Sequence, residues 1–140
     1  MSNKTMLATL ALGAAIAFAG PAFAEKMKAT LDGKSEVPAN TSAGTGTADI
    51  DYDAASKKLS WKVTYSGLSG PATAAHFHGP AEAGKNAGVA VPIANIASSP
   101  AEGSATLTDA QAADLAAGKY YVNIHTAANP GGEIRGQVSK

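Results

Sequence analysis

The 140-residue sequence has no cysteine, and that single absence removes several chemistries. Disulfide staples, thiolate nucleophiles, cysteine-bound zinc and iron–sulfur clusters are all excluded. Charge is sparse and balanced, with 16% of positions charged and 11 basic residues against 11 acidic ones. No basic face is concentrated anywhere along the chain, so nucleic acid, whose phosphates require one, is not an expected partner. Long apolar runs are missing too. The one candidate, residues 7–19, is a 13-residue stretch of mostly small side chains, short of the roughly 20 needed to cross a bilayer. With Lys4 ahead of it and Ala22-Phe23-Ala24 behind, it reads as a cleaved export signal over residues 1–24, not a membrane span. Removing those 24 from 140 leaves 116 residues, 25–140. The expectation is one domain, periplasmic or secreted, large enough to close a core without covalent help.

What the chain does contain is alternation. Ala48, Ile50 and Tyr52 alternate with Asp49, Asp51 and Asp53; after a turn at 54–57, Leu59, Trp61, Val63 and Tyr65 alternate with Ser60, Lys62 and Thr64. A period of two marks half-buried strands, so these runs predict a hairpin with its aspartates in water. Further strands are expected at 26–31, around 74–78, at 89–93, at 104–107, at 119–126 and at 134–138. Pro92 makes its strand short or an edge. Residues 32–46, 81–88 and 94–103 read as loops. Thr108-x-x-Gln111 is a capping box opening one short helix through Leu115, with Gly118 to close it. Many short alternating strands between Gly/Pro turns predict an all-β fold, an antiparallel Greek-key-like sandwich or barrel with one short helix.

The sequence has three histidines, and the alternation assigns each to a face. Phe77 belongs inside, so His76 and His78 point to the opposite side; Val122 and Ile124 belong inside, so Tyr121, Asn123 and His125 point out. Side chains two apart on a strand lie about 6.5 to 7 Å from one another, and a neighbouring strand is about 5 Å away. Three imidazoles therefore converge on one ion if the two strands are neighbours. Thiolate-free imidazole sets suit copper(II) or zinc, and three ligands leave a position open for water or substrate. The competing reading is a merely solvated His-x-His pair.

Arg135 falls on the same expected face as His125. A guanidinium beside an open metal position would attract an anion; the plainer alternative is a surface pair with Glu133 or Glu82. No carboxylates form a catalytic pair, Asp109 suits the first turn of a helix, and no serine sits in a nucleophile motif. Trp61, Tyr65 and Tyr52 are expected in the core.

The segments Ala75-His76-Phe77-His78-Gly79-Pro80-Ala81, Leu107-Thr108, Gly118-Lys119-Tyr120-Tyr121-Val122-Asn123-Ile124-His125-Thr126 and Asn129-Pro130-Gly131-Gly132-Glu133-Ile134-Arg135-Gly136-Gln137 closely resemble the CHRD domain, named after chordin. The resemblance runs from about Met27 to Val138. It implies an extracytoplasmic β domain, found alone in bacteria and as a repeated module in animal proteins, and brings no settled activity with it.

A looser resemblance is to copper/zinc superoxide dismutase, a β-sandwich whose copper lies outside the barrel. Gly67-Leu68-Ser69-Gly70 ahead of His76 and His78, the Ile124-His125 step, and Gly132-Glu133-Ile134-Arg135 are similar to its motifs. The residue that would bridge two metals, the zinc cluster and the disulfide have no counterpart. The expected function is thus copper binding through His76, His78 and His125, in copper handling or redox defence, with zinc as the other candidate ion. A non-catalytic module that binds a protein or a polysaccharide is the alternative, and superoxide dismutation the enzymatic one.

Overall fold

A computed structural model describes residues 24–140. The expected export signal lies, apart from Ala24, outside the described residues. The elements run β1 (Glu25–Asp32), β2 (Thr45–Asp53), β3 (Lys58–Ser66), β4 (Ala72–His78), β5 (Val89–Pro92), β6 (Ala101–Thr106), α1 (Asp109–Ala116), β7 (Tyr121–Thr126) and β8 (Ile134–Gln137). The strands form one eight-stranded antiparallel sheet in the order β5-β4-β7-β8-β1-β2-β3-β6. This sheet curls until it meets itself. Trp61 on β3 packs edge-on against Phe77 on β4, ring centroids 5.2 Å apart, although the two strands are far apart in the strand order. The result is a nearly closed barrel or sandwich, with β5 and β6 as its open edges.

Alternation fills the interior as expected. Leu31, Ala48, Ile50, Leu59, Val63, Phe77, Val122, Ile124 and Ile134 all turn inward and are buried, each large one stabilising the fold by about 1.5–3 kcal/mol. Tyr52 and Trp61 join them, while Tyr65 packs half-buried at the margin. The β2–β3 hairpin pairs Asp49 with Lys62 on its wet face. Pro92 sits at the end of edge strand β5, where its missing N–H leaves no gap in a ladder.

The helix follows its capping signal. Thr108 Oγ1 accepts from the Gln111 N–H at 3.2 Å and Gln111 Oε1 accepts from the Thr108 N–H at 3.0 Å. At the other end Gly118 takes φ 74°. Its N–H donates to Leu115 O at 3.1 Å and that of Lys119 to Asp114 O at 3.0 Å, closing the last turn.

Two expectations need correction. Strand β6 starts at Ala101, inside the segment read as loop, because Gly103 pairs with Trp61 and has no side chain with which to show alternation. A Cβ at Gly103 would lie 2.8 Å from the indole ring, so the glycine is what lets this edge lie flat on the tryptophan. Second, β7 and β8 are buried on both faces, not one. Loops 33–44 and 81–88 fold over their outer side and are tied to each other by Asn86 Nδ2, which donates to Val37 O at 3.1 Å.

Candidate metal centre

The two histidine-bearing strands are neighbours. Strands β4 and β7 pair with His76 opposite Asn123, His78 opposite Tyr121 and Ala74 opposite His125. Phe77 and Ile124 turn into the core, and the three imidazoles therefore emerge together on the other face. Ring centroids are 5.0 Å apart for His76 and His125, 5.4 Å for His76 and His78, and 6.2 Å for His78 and His125. One ligand atom from each ring lies within 4.8 Å of the other two, a set that could hold a metal ion.

The expected face is right, but its exposure is not. His78 is buried, at 8% exposure, beneath the 81–88 loop, and only His76 and His125 keep partial access to water. The coverage fixes the rings. His78 Nδ1 donates to Ala87 O at 3.0 Å and His125 Nδ1 donates to Pro130 O at 2.8 Å. A carbonyl only accepts, so in these bonds each neutral ring carries its proton on Nδ1 and presents a bare Nε2, that of His78 toward Asn123 Oδ1. His76 Nδ1 faces His125 Nε2 at 3.1 Å. Burial lowers the pKa of His76 below its ordinary value, and the neighbouring rings of His125 and His78 lower it further. Burial also lowers that of His78, against the opposing pull of its bonds to Ala87 and Asn123. Neutral imidazoles are the metal-binding form.

Behind the triad stands a stack. The Tyr121 ring lies parallel to His78 at 4.7 Å and 5°, and the Arg135 guanidinium covers its other face 3.5 Å from the ring centroid. The Tyr121 hydroxyl donates to Ala87 O and accepts from Ala87 N, both at 3.1 Å, so the tyrosine clamps the same loop residue that orients His78. Arg135 lies opposite Asn123 on β8, on the histidine face as expected. It is buried, donating to Asn86 Oδ1 at 2.8 Å and to Lys85 O. The expected alternative of a pair with Glu133 or Glu82 does not form, because Glu133 is engaged by hydroxyls and amides on the far side of the 126–132 turn.

Three residues escaped the sequence reading of the site. Asn123 places Oδ1 2.8 Å from His78 Nε2; its position on the histidine face was legible, its contact was not. Tyr121 was likewise legible only as a face. Glu36 comes from the aperiodic 33–44 loop and has no sequence signal at all. It is buried, its Oε1 without a hydrogen-bond partner. Burial pushes its carboxyl up to about 7, against the Arg135 charge and the Asn123 amide beside it.

Searches of the curated proteins and of the solved structures give no match. A family model described as the CHRD domain matches residues 27–138, from β1 to the residue after β8. With that match spanning nearly the whole described fold, histidine triad included, the chain belongs to the CHRD domain family.

Proposed function

We propose that this protein is an exported, periplasmic or secreted, copper-binding domain that holds one ion through His76 Nδ1, His78 Nε2 and His125 Nε2. The observation that carries this reading is the orientation of two of the rings. In metal centres a ligating histidine typically gives its second ring N–H to a carbonyl or carboxylate, which fixes the tautomer and aims the bare nitrogen. His78 and His125 both do so, and a merely solvated pair would have no such bracing. Copper is favoured because imidazole nitrogens bind Cu(II) more tightly than other divalent first-row ions, zinc included. Arg135 serves as a brace. A donor on each Nη is engaged by the 81–88 loop and one guanidinium face by Tyr121, and the side chain is buried, so it acts on an approaching anion chiefly by charge from beneath the surface. The role we assign to such a site is copper handling or redox defence.

The test is electron paramagnetic resonance of the protein with one equivalent of Cu(II). A type 2 signal with nitrogen splitting is expected, and it should vanish in His78→Ala and in His125→Ala. Protons compete for the same nitrogens. Because burial lowers the pKa of His76 and His78, affinity should hold through pH 7 and fall only below about pH 6, where free imidazole is already protonated. A signal that survives both substitutions places the copper elsewhere and removes the reading.

A further inference from the structure

A neutral His78 has one ring proton for two acceptors. His78 Nδ1 donates its proton to Ala87 O at 3.0 Å, which leaves a lone pair on Nε2 of the neutral ring. That lone pair faces Asn123 Oδ1, another acceptor, at 2.8 Å. Turning the amide over does not relieve it. The Nδ2 end lies against the Glu36 carboxyl group, both crowding the open side of Gly132; once that carboxyl is ionised it only accepts, so a flip would set the amide oxygen against it instead. Two acceptors so placed are reconciled by a cation that both can bind.

We propose that the side-chain oxygen of Asn123 is a fourth donor of the metal centre, giving a set of three nitrogens and one oxygen, and that Glu36 is the positioning residue that keeps this oxygen turned to the ion. The inference rests on the copper reading of the three histidines. Distances support it. Two donors bound at about 2.0 Å to one ion and at right angles to each other are about 2.8 Å apart, whereas tetrahedral donors are about 3.3 Å apart. The His78–Asn123 separation is 2.8 Å and the His76–His125 separation is 3.1 Å. Both separations are nearer the right-angle value than the tetrahedral one, as the tetragonal arrangement suited to Cu(II) requires of adjacent donors. Register explains why: Asn123 is directly opposite His76 and two residues before His125, so strand alternation sets it in the middle of the triad. A fourth protein donor fills the position that three histidines leave open. Such a centre holds copper instead of turning over a small substrate.

The experiment is Cu(II) resonance in water enriched in 17O, on the wild-type protein and on Asn123→Ala, Asn123→Asp and Glu36→Ala, with circular dichroism to establish that each is folded. The wild type should show three-nitrogen splitting and no 17O broadening. Asn123→Ala should admit an equatorial water, seen as broadening, and lose about tenfold to a hundredfold in affinity. Asn123→Asp keeps an oxygen donor of the same shape, so it should show no broadening and bind more tightly. Glu36→Ala should retain the nitrogen splitting and gain partial broadening. Wild-type protein that binds with three nitrogens yet is already broadened overturns the fourth donor alone, as does an Asn123→Ala spectrum identical to it. A Glu36→Ala spectrum identical to wild type overturns the positioning role. Wild-type protein that takes no copper overturns the three-histidine reading itself.

Discussion

Glu133 is fully buried and accepts five hydrogen bonds, from Ser42 Oγ, Ser69 N, Ser69 Oγ, Thr126 Oγ1 and Asn129 Nδ2. Burial by itself pushes its carboxyl up, but the donors from Ser69, Thr126 and Ser42 outweigh it and bring the pKa down to about 2 from 4.5. The native state therefore favours the anion. The stabilisation is complete above about pH 4.5, and it is lost as pH falls toward 2, in total about 3 kcal/mol. Glu36 acts with the opposite sign, since its pKa rises from 4.5 to about 7. Its contribution is complete below about pH 4.5 and is lost as pH climbs through 7. Urea unfolding of metal-free protein across pH 2.5 to 8.5 should thus show greatest stability between these limits. In Glu133→Gln the amide would set N–H groups against donors, costing about 2–4 kcal/mol near neutrality and flattening the acid limb. Glu36→Gln should flatten the neutral limb instead; an unchanged profile in either variant contradicts its assigned titration. At this scale the histidines were legible, because alternation around Phe77 and Ile124 fixes their side. Glu36 and Glu133 were not, because nothing local in a loop sequence says which strand face it will cover.

At the scale of elements, β7 and β8 differ from the rest by having two dry faces. One is the barrel core; the other is closed by loops 33–44 and 81–88, and the histidine cluster occupies the margin where that cover ends. The alternating hairpin, the capping box and the edge proline were all readable because each is a local pattern with a local cause. The cover was not, since its contacts join residues far apart in sequence, such as Asn40 Nδ2 donating to Glu133 O at 2.9 Å. The start of β6, Ala101-Glu102-Gly103, was hidden for a different reason, since Gly103 has no side chain to continue the alternation. Close approach sets a further demand where β8 meets β1. A Cβ at Gly136 would run into the backbone of Thr30, so even alanine forces the strands apart. Gly136→Ala should destabilise the fold by about 1–3 kcal/mol by denaturant unfolding and weaken copper binding, as β8 carries the Arg135 brace. A variant as stable as wild type would mean that the two strands are not so tightly joined.

For the whole molecule, the curled sheet brings distant parts together on both its faces. Inside, Trp61 and Phe77 meet across the core; outside, β4 and β7 bring the histidines together, with His78 held by the 81–88 loop and His125 by the 126–132 turn. Occupying the centre should therefore stabilise the entire domain, because an ion bound only to the folded state adds about 2.7 kcal/mol at a hundredfold excess over its Kd. Copper should raise the unfolding temperature in wild type and leave it unchanged in His78→Ala. Calorimetric titration of the untagged protein with Cu(II), and in parallel Zn(II), is decisive. One equivalent of Cu(II) should bind with a Kd below about 10 μM and more tightly than Zn(II), and the heat should disappear in His125→Ala. If neither ion binds more tightly than about 10 μM, the three imidazoles are a structural feature of the domain and not a metal centre.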